Sequence, residues 1–98
     1  MIGGAMSEDL QALLCEAIAG RQEIRFSYGH DRKTVAPHVL YESEDGELFI
    51  AGPTHPFGKW HDYIVAAMMK LERTGAHFER DAASAAEHGP YHNVICSV

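Results

Sequence analysis

The sequence predicts one mainly β domain with flanking helices, an α+β fold. Three observations point there. Residues 24–52 read as three short strands punctuated by two turns. An apolar stripe at helical spacing precedes them. An alanine-rich segment and a short aliphatic run close the chain.

The elements follow in order. Ser7-Glu8-Asp9-Leu10 opens a helix predicted over Ser7–Ala19. Ser7 is placed to accept backbone N–H bonds, and two acids in the first turn suit the positive end of the helix dipole. Leu10, Leu13, Leu14, Ala17 and Ile18 share one face, and Gly20 is expected to end the helix in the left-handed conformation. Residues 1–6 are expected as a disordered leader; they have neither the basic start nor the apolar run of a signal peptide. Ile24-Arg25-Phe26-Ser27-Tyr28 alternates apolar and polar as a half-buried strand does, and Gly29-His30-Asp31 supplies a turn. Thr34–Tyr41 is a second strand whose Pro37 requires an edge or a bulge, because proline cannot donate to a ladder. Asp45-Gly46 suits a tight hairpin into a third strand, Glu47–Ala51. Pro53–Gly58 is a loop. Trp60–Met68 is a fourth strand, and Met69–Arg73 continues it or bends into a fifth. Thr74-Gly75 reads as a turn and Phe78 as an anchor returning to the core. Asp81–His88 is helix-prone with Gly89-Pro90 as its stop, and Val94–Val98 is a last strand.

Composition narrows the function. Ninety-eight residues with 46% apolar content make one domain with one modest core. A formal charge of -6 argues against broad phosphate-driven binding of nucleic acid. No run approaches the roughly 18 apolar residues of a membrane span. With no secretion signal in view the cytoplasm is expected, and Cys15 and Cys96 are read as reduced, buried thiols.

No nucleophile–base motif, glycine-rich phosphate loop or metalloprotease helix is present, so an enzyme is not expected. His88 and His92 have H-x3-H spacing, but Gly89-Pro90 breaks any helix that would bring the two rings together, so no metal and no cofactor is expected. Phe57, Trp60, Met68 and Met69 read as a core cluster. Arg21, Arg25, Arg32 and Lys33 form the densest basic group. They read either as solvated strand faces or as an anion-binding patch beside Tyr28 and His38. His38 follows the proline, where a bulge would aim it into a shallow pocket with Tyr28 and Tyr41. The candidate ligand-binding set is therefore Arg25, Tyr28, Arg32, Lys33, His38 and Tyr41.

The order of these parts resembles the WYL domain family over residues 10–78. The matching pieces are Ile24-Arg25-Phe26-Ser27-Tyr28, Pro37-His38-Val39-Leu40 and Gly46-Glu47-Leu48-Phe49-Ile50, with Leu48-Phe49-Ile50 in the place of the Trp-Tyr-Leu triplet. Trp60-His61-Asp62-Tyr63 looks like the family's next strand and Leu71–Phe78 like its close; residues 79–98 extend beyond it. The resemblance implies a small, strongly bent, five-stranded Sm-like or SH3-like barrel with an N-terminal helix. It implies a regulatory role, because family members sit beside winged helices in bacterial transcription factors or near phage-defence genes and sense ligands that include nucleotides and nucleic acids. Two departures matter. The chain has no helix-turn-helix, so a free-standing domain is expected. Ala67 stands where the family carries an arginine, which removes a phosphate-binding fork and weakens the case for nucleic acid. The expected partners are a small anionic ligand or a protein, with no membrane, and a homodimer as the assembly. The alternative is an assembly module that acts through its C-terminal strand.

Overall fold

The computed structural model describes residues 3–54 and 58–98, with side chains from residue 9 onward. Met1 and Ile2 of the expected leader, the Ser7 side chain, and Phe57 of the expected core cluster lie outside the described residues.

The first helix, α1, spans Gly3–Ala19, four residues longer at its start than the Ser7 cap implies. Leu14, Ala17 and Ile18 are fully buried, as the i, i+3, i+4 stripe requires. The left-handed residue after the helix is Arg21 (φ 55°), not Gly20. Gly20 N donates to Glu16 O (2.9 Å), so the last helical hydrogen bond reaches Gly20 and the chain turns one residue later.

Strands β1 (Gln22–Tyr28) and β2 (Asp31–Val35) form a hairpin, with Gly29 at φ 65° in the turn. Ile24 and Phe26 are fully buried while Arg25 is exposed, which is the period-2 signature of a sheet with one wet face. Residues 36–38 then turn a corner into β3 (Val39–Glu42). The corner keeps its hydrogen bonds: Ala36 N donates to Pro53 O (2.9 Å) and His38 N to Ala51 O (2.8 Å). Both acceptors belong to β4 (Leu48–Pro53), so β2 and β3 act as one bent strand laid across β4. Pro37 sits where no donor is needed. Gly52 is required at the crossing, because a Cβ there would lie 2.0 Å from Ala36 O.

Strand β5 (Trp60–Ile64) pairs with β4 and ends in a 3-10 turn over Val65–Ala67. The fourth strand is thus shorter than the Trp60–Met68 expectation. The 3-10 turn eclipses positions three apart, which buries both Val65 and Met68. Strand β6 (Met68–His77) returns to β1. Thr74-Gly75 lies inside β6 and is not a turn. Its register slips against β1 between the Gln22↔His77 and Ile24↔Arg73 pairs, so the glycine (φ 88°) serves a bulge. A second slip, between Arg25 and Ser27, falls at Lys70, which takes φ 55°.

Helix α2 (Ala82–His88) forms where alanine content predicts it, with Asp81 Oδ1 accepting from Ser84 N (3.1 Å) as its cap. The last strand, β7 (Val94–Ser97), pairs with β3. The ladders give two antiparallel sheets, β2-β1-β6 and β5-β4-β3-β7, bridged at Val35↔Thr54. The α+β class holds. The pairings do not close into a barrel; β5 passes to β6 through the 3-10 turn instead of through a ladder.

Cys15 and Cys96 are joined in a disulfide, with 5.8 Å between their Cα atoms, and are not two free thiols. The bond fastens α1 to β7 across 81 positions of sequence. Sequence spacing alone gave no hint of it, because the two cysteines meet only after β7 has docked on β3.

Candidate functional site

The strand alternation divides the expected ligand set. Arg25 and Ser27 lie on the outer face of β1, and the register sets Thr34 and Arg32 of β2 beside them and Glu72 of β6 on the other side. Arg32 Nη2 lies 3.1 Å and Arg25 Nη1 3.8 Å from the same carboxylate oxygen, Glu72 Oε2. Arg32 Nη1 also donates to Ser27 Oγ (3.2 Å) and to Lys70 O (3.4 Å), and Arg25 Nε to Thr34 Oγ1 (3.5 Å). Two guanidinium groups thus meet one carboxylate on an exposed sheet face.

Tyr28 and Lys33 have the opposite parity. Tyr28 packs edge-on against Phe26 and Tyr63 (6.1 and 5.1 Å between centroids), and its hydroxyl accepts from Ile64 N (3.1 Å). It fastens β1 to β5 and does not flank the arginines. Lys33 Nζ faces Asp31 Oδ2 at 3.9 Å.

His38 is not in a shallow pocket. It is 1% exposed, and both ring nitrogens are engaged. Nδ1 lies 2.8 Å from Ala36 O, and Nε2 accepts from Asp81 N (2.9 Å). This pairing fixes the neutral ring with its proton on Nδ1, since a carbonyl accepts and an amide donates. Burial holds its pKa below the ordinary histidine value, against the raising influence of Ala36 O and Asp81. Phe78 stacks on the ring at 4.9 Å and Trp60 meets it edge-on at 5.2 Å. Phe78 is the expected anchor, and His38 is what it anchors to.

Tyr41 lies on the outer face of the other sheet. Its ring stacks on Phe49 (5.4 Å, 11°) and meets Tyr91 at a tilt (4.7 Å, 35°), and its hydroxyl donates to Asp62. Burial and then the Asp62 carboxylate raise its pKa far above the ordinary tyrosine value. Tyr91 hydroxyl accepts from Trp60 Nε1 (2.8 Å) and donates to Asp62 Oδ1 (3.5 Å), and burial leads the rise of its pKa. Trp60 is half-buried and stacks on His88 at 5.2 Å, while Met69 is 65% exposed, so the expected core cluster separates and keeps Met68 inside.

Of the six expected residues, the structure brings together Arg25 and Arg32. Ser27, Thr34 and Glu72 complete that face, and Tyr91, Asp62, Phe49 and His88 complete the aromatic one. Parity along β1 would have grouped Ser27 with Arg25. Glu72 depends on a bulged long-range register and Tyr91 on the docking of residues 79–98, and neither leaves a local signal.

No family model matches the chain, and no curated protein matches it. Among solved structures it is similar to proteasome accessory factor B/C (PafBC) of Arthrobacter aurescens, with a TM-score of 0.64 and 19% identity over 82% of this chain. The chain spans 14% of the length of that protein. At this identity the likeness shows a shared fold alone.

Proposed function

We propose that the chain is a non-enzymatic regulatory domain of the WYL type that senses a small anionic ligand on the outer face of β1, β2 and β6. The observation that carries this reading is the convergence of Arg25 and Arg32 on one oxygen of Glu72. Glu72 stands where an anion's oxygen would stand. An exposed ion pair contributes only about 0–1 kcal/mol, so a phosphate or carboxylate ligand displaces it at little cost. Ser27 and Thr34 hydroxyls border the same face and supply further hydrogen bonds. The WYL-like fold supports a sensor over a catalyst. The acidic balance of the chain and Ala67 disfavour nucleic acid and favour a small ligand.

The test is thermal denaturation with inorganic phosphate, nucleotides and citrate in turn. One or more of them raises Tm in the wild type, less in Arg25→Ala and Arg32→Ala, and more in Glu72→Gln. Identical responses in the wild type and both arginine variants would reject the reading.

A second reading, self-assembly as a homodimer, has one observation in its favour. β7 ends its sheet with no ladder on its outer edge among the described residues, and Val94 and Ile95 are 45% and 38% exposed. Its inner edge already pairs with β3 of the same chain, so the dimer would form edge to edge, without strand exchange. Light scattering on Val94→Lys/Ile95→Lys, which leaves Cys96 in place, would then report a monomer where the wild type reports a dimer. The cytoplasm is proposed as its location. There the Cys15–Cys96 bridge has to persist against a reducing thiol pool, which thiol trapping in cells would measure.

A further inference from the structure

Residues 79–89 form a strap between two fixed points. At one end Phe78 N donates to Arg21 O (2.8 Å); beyond the other, Tyr91 hydroxyl accepts from Trp60 Nε1 (2.8 Å). The strap carries α2, and none of its residues is buried. Among the described residues one hydrogen bond fastens it to the body of the domain, from Asp81 N to His38 Nε2 (2.9 Å). The stack of His88 on Trp60 is its other attachment. From this geometry we propose that the strap is a proton-released latch: a proton on His38 Nε2 detaches residues 79–89 while the rest of the domain stays folded.

The reason is hydrogen-bond polarity. Nδ1 faces Ala36 O at 2.8 Å and keeps its proton, so a second proton goes to Nε2. An imidazolium has two donors and no acceptor, so Nε2–H then meets Asp81 N–H, donor against donor. A buried donor without a partner costs about 1–3 kcal/mol, and more when charged. The ring is 1% exposed, so its charge is solvated by lifting what covers it, and the strap is the least buried cover. The charged groups facing the ring are Asp81 and Arg80 on the strap and Arg21 in the turn after α1. β4 and β7 meet His38 through backbone hydrogen bonds, and β5 through the neutral Trp60 ring. The two guanidinium groups oppose a charged imidazole. The Asp81 carboxylate favours it, but Oδ1 accepts from Ser84 N (3.1 Å), and turning to the ring would uncap α2. A helix as short as Ala82–His88 does not stand alone without its cap, so both routes loosen the strap. His88 does not add to the release. Its Nδ1 lies 2.9 Å from Ser84 O, a contact that a charged ring keeps, and a cation still suits the Trp60 face. β7 stays in place, held by the Cys15–Cys96 bond and its ladder to β3. Lifting the strap uncovers the imidazole and the face of Trp60 on which His88 lies.

The latch is independent of the anion reading. Burial lowers the pKa of His38, so release falls on the acid side of about pH 6.5. The test is amide hydrogen exchange of the oxidised full chain from about pH 8 to pH 5, corrected for intrinsic rates. Protection of the Asp81, Ser84, Ala85 and Gly89 amides is expected to fall by up to about 10-fold per pH unit as His38 charges. The Ala36 and Ser43 amides, bonded to Pro53 O and Glu47 O, keep theirs. His38→Gln offers Asp81 N an acceptor oxygen that does not titrate, so its strap protection is expected to be independent of pH. Three results would each overturn the proposal. One is strap amides that stay protected down to about pH 5. Another is loss of protection in the strap and at Ala36 and Ser43 together. The third is an unchanged pH dependence in His38→Gln. The first two are read on the wild type alone.

Discussion

Reducing the Cys15–Cys96 bond tests how much of the fold depends on one covalent link. The bond closes a loop across 81 positions of sequence. The chain-entropy relation for a loop of that length gives about 15 cal/mol/K removed from the unfolded ensemble, or ~4.5 kcal/mol at 25 °C. A domain of this size has a total stability of roughly 5–15 kcal/mol, so reduction is expected to remove between a third and most of it. Trp60 is the sole tryptophan and reports on β5, which makes urea denaturation followed by its fluorescence a direct assay. With an m value of about 1.5 kcal/mol/M, the midpoint moves down by about 3 M on adding a phosphine reductant. Cys15→Ser/Cys96→Ser reproduces that shift without reductant. Quantification of free thiols in the native protein returns none. If reduction is complete and the unfolding free energy changes by less than about 0.5 kcal/mol, the scale of an ordinary surface change, the entropic reasoning fails.

Other perturbations address the corner and the core. Gly52→Ala places a Cβ against Ala36 O, and neither backbone can retreat without breaking the Ala36–Pro53 and His38–Ala51 hydrogen bonds. It is expected to cost about 3 kcal/mol or more, read as a drop in Tm. His38 has a folded pKa lowered by burial, so the unfolded state binds its proton more readily. Stability contributed by neutral His38 is present above the ordinary histidine pKa of about 6.5 and is lost as pH falls below it, with a slope of at most ~1.4 kcal/mol per pH unit. That slope is absent from His38→Gln in parallel denaturation curves at pH 5 to 8. Tyr63 hydroxyl is buried with no partner among the described residues. Tyr63→Phe is therefore expected to leave stability unchanged or raise it by up to about 1 kcal/mol, and a loss above 1 kcal/mol would reveal an unseen partner.

Local chemistry made much of the architecture legible. The Leu14, Ala17, Ile18 stripe, the Ile24/Phe26 alternation, the alanine-rich second helix and the last strand can all be read from neighbours a few residues away. Pro37 marked a break in strand pairing, and the corner is there. Reading failed where long-range docking decides the outcome. Thr74-Gly75 has the composition of a turn, yet β1 supplies a ladder on which those residues make a bulge instead. His38 sits beside a proline as a site histidine might, but Asp81 N arrives from 43 positions away and consumes its free nitrogen. Cys15 and Cys96 are partners for the same reason: only the docking of β7 brings them together. The arginines survive as a pair because alternation along β1 and the tight hairpin to β2 are local facts. Their carboxylate partner lies on a strand whose register could not be counted without the bulges.

The double engagement of His38 bears on where this domain can be cut. Trimming the chain after Phe78 would deprive the buried imidazole of Asp81 N, strip β3 of β7, and leave Cys15 without its mate. The last twenty residues are thus no appendage to a finished barrel. They are a keystone, and the smallest piece expected to fold cooperatively includes them.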